Sequence, residues 1–254
     1  MTKEFSGKRV LITGASRGMG RTLAEDFAAQ GASVVVNYQR SSDLADEVVT
    51  GITAAGGDAL AVQADVATGG DVRRMFEEID TRWGGLDILV NNAGINRDAP
   101  FVDMTENDWD AVMATNLKGP FLCSRSAVRL MQSRNIASGR IINISAITSQ
   151  VGRANAANFS ASKGGLEALT RALAVELGPI ITVNAIVLGF MNSPLAREVF
   201  TADQLTAAKA SIPAARLGEY SELTALVRYL ASDAAAFMTG QAIGLDGGQI
   251  IRMP

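Results

Sequence analysis

The chain contains no histidine and a single cysteine among its 254 residues. Ser-His-Asp and Cys-His hydrolysis are therefore excluded, as are zinc sites built from His and Cys and any disulfide within the chain. Cys123, inside an apolar stretch, reads as a small buried residue in a reducing compartment. Aromatic residues make up only 6% of the sequence, and charge of neither sign dominates: 23 basic residues face 26 acidic ones, for a net charge of −3. That balance leaves no basic footprint for nucleic acid. No apolar run is long enough to span a bilayer, and Met1-Thr2-Lys3-Glu4-Phe5 has no signal-peptide character, so a soluble cytoplasmic chain is expected, without membrane or metal. A hydrophobic content of 48% is enough to build a large core unaided.

Short β-rich runs alternate with longer stretches of helical period, the mark of βαβ units around a parallel sheet. Strands are predicted at 9–13, 33–37, 59–63, 87–91, 140–145, 181–187 and 242–245, each almost continuously apolar, as befits strands covered on both faces. Met19, Leu23 and Phe27 recur at four-residue spacing and predict a helix, as do 71–83, 107–135 with an interruption near Gly119-Pro120, and 160–177. No linker or repeat divides the chain. The reading is one α/β domain over 1–254: a Rossmann-type, doubly wound parallel sheet of seven strands with about six helices on its two faces.

The first strand runs into Thr13-Gly14-Ala15-Ser16-Arg17-Gly18-Met19-Gly20, where a helix begins. Glycines there permit a tight turn and close approach of the backbone to a pyrophosphate, and a helix N-terminus offers free N–H groups to the phosphate. The spacing is G-x3-G-x-G. With Asn91-Asn92-Ala93-Gly94 after the fourth strand, Asp65-Val66, Asn116, the stretch Asn158 to Lys163 and the closing Asp246-Gly247-Gly248, the sequence resembles the short-chain dehydrogenase/reductase family over nearly its whole length, and within it the bacterial 3-oxoacyl-acyl-carrier-protein reductases.

An NAD-preferring site needs a carboxylate after the second strand. Here Asn37-Tyr38-Gln39-Arg40-Ser41-Ser42 supplies none before Asp43. Arg17 and Arg40 are placed to face a 2′-phosphate, so NADP(H) is the expected cofactor; Arg17 alone discriminates if Arg40 is only solvated. The resemblance implies that Gly14, Ser16, Arg17, Gly18, Met19 and Gly20 hold the pyrophosphate. Tyr38, Arg40, Ser41, Asp65 and Val66 would surround the adenosine. Asn92, Ala93, Gly94, Lys163, Gly189, Met191 and Ser193 would line the rest of the cofactor.

The resemblance also implies a catalytic set: a tyrosine that protonates the carbonyl oxygen, a lysine four residues later, a serine that hydrogen-bonds the carbonyl, and an asparagine that organises a water relay. Lys163 and Asn116 are present, but the tyrosine position is Phe159 and the serine position is Ala146. Ser145 is a substitute only if a bulge turns it round, because one step along a strand reverses a side chain. Thr148, or a water on Asn116 and Lys163, are the other replacement donors. Leu188-Gly189 stands where the family has Pro-Gly.

Three readings follow. The chain is an NADP(H)-dependent reductase of ketones on acyl or polyketide-like substrates, impaired or altered as its sequence stands; or a non-catalytic, cofactor-binding subunit of an active homologue; or a redox-neutral, cyclase- or dehydratase-like enzyme. A substrate lid is expected over 190–213, where Leu195, Val199, Phe200, Leu205, Ala207 and Ala208, with Ile95, Phe101 and Val151, make an apolar pocket. Gly165, Ala168, Ala172 and Val175 form a small-residue face on the 160–177 helix, beside the side carrying Leu166, Leu169, Leu173 and Leu177. A homotetramer is expected, with a hetero-oligomer as the alternative.

Overall fold

Runs such as Val10-Leu11-Ile12 and Val34-Val35-Val36 are apolar at every position, so a strand built from them must be covered on both sides. The computed structural model, which describes residues 3–193 and 201–251, shows this arrangement. Seven strands, β1 (Arg9–Ile12), β2 (Ser33–Tyr38), β3 (Asp58–Gln63), β4 (Ile88–Asn91), β5 (Gly139–Ala146), β6 (Ile181–Leu188) and β7 (Ala242–Leu245), form one sheet in the order β3-β2-β1-β4-β5-β6-β7. Every pairing is parallel. Val10, Ile12, Val34 and Val36 point into one core, Leu11 and Val35 into the other.

The helices are α1 (Gly18–Ala29), α2 (Ser42–Ala54), α3 (Gly69–Trp83), α4 (Glu106–Met113), α5 (Gly119–Ser133), α6 (Thr148–Val151), α7 (Ala157–Leu177), α8 (Ala202–Ser211) and α9 (Tyr220–Ala231). The expectation of about six counts one helix per strand connection. Nine occur among the described residues because the last three connections each hold two. Leu23 and Phe27 of α1 and Val227 of α9 cover one face, and Met75 and Ile79 of α3 with Cys123 and Ala127 of α5 cover the other.

The predicted 107–135 helix is interrupted just before Gly119-Pro120. A π turn, Ala114–Lys118, joins α4 to α5. Pro120 falls at the start of α5, where a missing N–H is tolerated.

From β1 the chain steps outward through β2 and β3, then returns to lay β4 on the other side of β1. Beyond the carboxyl ends of β1 and β4 this reversal opens the crevice in which doubly wound sheets bind ligands. Of the expected lid, Pro194, Leu195, Val199 and Phe200 lie outside the described residues.

Candidate active site

Thr13 follows β1, and its hydroxyl accepts from the backbone N–H groups of Asn92 and Ala93, each at 3.0 Å. The ends of β1 and β4 are thereby tied together below the crevice. Gly14 turns with φ +64° and donates its N–H to Asn37 Oδ1 at 3.2 Å. Gly20 is where α1 passes closest to the loop: a Cβ on it would lie 2.7 Å from Asn92 Nδ2 and 2.9 Å from Ala15 Cα. Arg17, extended at the N-cap, makes no side-chain cap, and the first turn of α1 holds no acid. Its leading N–H groups and positive potential are left for an anion. Ser16 is buried, while Met19 packs against the core. Asn92 donates to Thr13 O and Gly14 O, but its buried Oδ1 has no partner among the described residues.

At the far end of the crevice, Tyr38 and Ser41 are half-buried and Val66 is buried. Asp65 accepts from Gln39 Nε2 at 2.8 Å and from the Ala67 N–H at 2.9 Å. Arg17 and Arg40 are exposed, and neither forms an ion pair among the described residues. The region between the glycine loop and β2 thus carries two uncompensated guanidinium groups, while its aspartate is already hydrogen-bonded. Gln39 escaped the reading of the sequence, because a glutamine in a loop announces nothing until its partner is known.

Lys163 and Asn116 converge on Gly94. A Cβ on that glycine would lie 3.4 Å from Asn116 Oδ1 and 3.8 Å from Lys163 Nζ. Asn116, fully buried in the π turn, clamps the backbone of Ile95: its Oδ1 accepts from the N–H at 2.8 Å, and its Nδ2 donates to the carbonyl at 2.9 Å. Lys163 donates to Ile144 O at 2.7 Å. Its ammonium lies 5.6 Å from the ring centroid of Phe159, one helical turn earlier on α7. Burial depresses the lysine from its ordinary 10.5 to about 8.

Ala146 ends β5, half-buried. Ser145 does not take its place. The ladder between β5 and β6 runs in register through Ser145↔Val187 and Ala146↔Leu188, so the bulge needed to turn the serine round is absent. The Ser145 hydroxyl is buried and donates to Glu167 Oε1 at 2.8 Å. Glu167, on α7 one turn beyond Lys163, also receives Ser149 Oγ and, at 3.3 Å, Gln150 Nε2. The sequence reading missed this buried carboxylate, although an acid four residues after the lysine was the available signal. Thr148 Oγ1, the other hydroxyl considered, is buried without a partner among the described residues.

The loop after β6 sits on the closing glycines. Gly189 donates its N–H to Leu245 O at 3.0 Å, and Met191 bridges to Gly218. Asp246 accepts from the backbone of Gly248 and Ile250. Leu188 keeps β6 in its ladder to the last residue. Phe101 and Val151 are exposed.

The small face of α7 is only partly as expected. Gly165 is filled from within the chain, since a Cβ there would meet Leu117 at 2.8 Å, whereas Ala168, Ala172 and Val175 are exposed. Leu169, expected beside the core-facing leucines, instead joins Met113, Leu117 and Phe121 along an apolar cavity of about 560 Å³. Leu166 is fully buried. Among the described residues, no cluster of His, Cys, Asp and Glu is suited to a metal, and no helix is long and apolar enough to cross a membrane.

An uncapped helix terminus, a glycine that must lack a Cβ and, among the described residues, a buried amide oxygen without a partner and two arginines without an ion pair fit a phosphorylated dinucleotide. The model of the enoyl-(acyl carrier protein) reductase family matches residues 14–249. A 3-oxoacyl-[acyl-carrier-protein] reductase of Synechocystis is 42% identical over 95% of this chain and 96% of its own length. Its namesake from Staphylococcus aureus is 43% identical over 95% and 97%. Among solved structures, a short-chain type dehydrogenase/reductase from Mycobacterium marinum superposes with a TM-score of 0.92 at 35% identity, covering 99% of this chain and 98% of that one. A gluconate 5-dehydrogenase from Burkholderia cenocepacia, solved with NADP and tartrate, gives 0.92 at 34% identity, covering 99% of each chain. Matched at this level along almost all of its length, the chain belongs to the short-chain dehydrogenase/reductase family.

Proposed function

We propose that this chain binds NADP(H) and has the site of a ketone reductase for acyl or polyketide-like substrates, without the two hydroxyls that complete the reduction. One observation carries the reading. Lys163 and Asn116 meet at Gly94, yet the neighbouring positions of the set hold the Phe159 ring and the Ala146 methyl. When bound, the cofactor supplies a hydride. The glycine loop and the α1 terminus bind its pyrophosphate, Arg17 and Arg40 attract a 2′-phosphate, and Asp65 and Val66 flank the adenine. Met191 and Ser193 continue the cradle past Gly189, where the 190–213 segment would cover the substrate.

Lys163 holds the ribose hydroxyls, and Asn116 fixes the Ile95 backbone beside them. Phe159 has no proton to give a carbonyl oxygen, and Ala146 has no hydrogen bond to offer it. A positioned acid is worth roughly 10²–10⁴-fold in rate, and a donor to the developing oxyanion roughly 10²–10³-fold. The two losses do not add when the groups act as a unit. The acyl preference is supported by the names of the two bacterial relatives, and NADP(H) by the NADP in the Burkholderia complex.

A second reading, a non-catalytic, cofactor-binding subunit of an active homologue, is supported by the apolar cavity that Met113, Leu117, Phe121 and Leu169 leave on the surface.

The test combines fluorescence titration with NADPH and the oxidation of NADPH by an acetoacetyl thioester. The expected result is saturable binding with negligible turnover, and a gain of about 10²-fold or more in the Ala146→Ser, Phe159→Tyr double variant. Brisk turnover by the unaltered chain, or a double variant as inert as its parent, refutes the impairment. Absence of binding refutes the cofactor site.

A further inference from the structure

The chain has three tyrosines, none at the catalytic position. One of them, Tyr220, begins α9, whose side chains pack against α1. Its hydroxyl reaches the glycine loop: it lies 3.8 Å from the place a Cβ would occupy on Gly18, the first residue of α1. It also shares a hydrogen bond with Ser193, in the loop that follows β6. A phenol has one proton to donate and lone pairs to accept with, so the bond to Ser193 is compatible with a second one. Partial burial raises the pKa of Tyr220, which keeps that proton in place at neutral pH.

The α1 terminus has no side-chain cap, and Gly18 presents no side chain to contact. An anion at this terminus would find backbone N–H groups on the α1 side. The phenol of Tyr220 stands beside Gly18, carried by a different element.

We propose that Tyr220 is a ligand of the dinucleotide's pyrophosphate, donating its phenolic proton to a phosphate oxygen across Gly18 while Ser193 holds the ring in place. This rests on the NADP(H) reading above and adds to it a residue from the far end of the chain. Tyr220 touches phosphate only and takes no part in proton transfer to a substrate.

The test is Tyr220→Phe, which deletes one oxygen and keeps the ring. Three ligands are titrated: NADPH, ADP-ribose, which has the pyrophosphate without the 2′-phosphate, and 2′-AMP, which has the 2′-phosphate without the pyrophosphate. A hydrogen bond to a charged group is worth about tenfold or more in affinity. NADPH and ADP-ribose are expected to bind about tenfold more weakly to the variant, with 2′-AMP unchanged and the unliganded protein melting at most a few degrees lower, the cost of the lost bond to Ser193. Wild-type affinity for ADP-ribose overturns the proposal, and so does an equal loss for all three ligands, the sign of a general disturbance. If the unaltered chain binds none of them, the cofactor reading itself fails and the proposal with it.

Discussion

Lys163→Met replaces a buried ammonium with an apolar chain of similar length, and the structure dictates the direction of its effect. Burial lowers the lysine from 10.5 to about 8. At about 1.4 kcal/mol per pH unit, that fall makes the charged side chain a burden of about 3 kcal/mol on the folded state at pH 7. The substitution strands Ile144 O, which loses its bond from Nζ, at a cost of about 1 kcal/mol. The net expectation is a gain of about 2 kcal/mol, or a rise in Tm of about 4–8 °C for a domain of this size.

The sign with pH follows from linkage. A base whose folded pKa is depressed destabilises fully while both states are charged, below about pH 8. Between about 8 and 10.5 the folded lysine is neutral and the unfolded one still charged, so the wild type recovers stability as pH rises. Thermal melts of both proteins, without cofactor, at pH 7 and pH 10 read this out directly. The difference should be largest at pH 7 and mostly gone at pH 10. A variant no more stable than the wild type at pH 7, or a difference that does not change with pH, refutes the argument.

Gly20→Ala drives a methyl against Asn92 Nδ2 and the Ala15 backbone, and overpacking of this kind costs about 1–3 kcal/mol. The variant should melt several degrees lower and bind NADPH at least about tenfold more weakly, as calorimetry and fluorescence titration would show. Arg17→Ala and Arg40→Ala should each raise the NADPH dissociation constant about tenfold while moving that for NADH little, since each removes a charge-assisted contact to the 2′-phosphate alone. If only Arg17→Ala shifts the ratio of the two constants, Arg40 is a solvated loop residue.

The parallel sheet was legible because its strands are apolar at every position, and the glycine loop because it stands between a strand and an amphipathic helix. Predicted strand limits such as 33–37 and 242–245 differ from the observed ones by a residue or none. That positions 146 and 159 hold alanine and phenylalanine was equally plain, since a residue's identity requires no coordinates. Periodicity gave less for 107–135, where it shows an apolar face but not a change of hydrogen-bond register. The π turn that buries Asn116 is such a change.

Long-range pairing lay beyond the sequence altogether. The orientation of Ser145 was stated only conditionally, and the unbroken ladder with β6 together with the carboxylate of Glu167 decided it. The bond from Gln39 to Asp65, the reach of Tyr220 to Gly18, and the filling of Gly165 by Leu117 each join residues that no local pattern connects. What the sequence determined by itself is what can be read along the chain: the alternation of strands and helices, the glycine turn between the first strand and its helix, and side chains without a hydroxyl at 146 and 159. What only the tertiary structure decided is which polar groups are already engaged and which remain for a ligand, because burial and partnership are set by segments that meet only when the sheet has formed.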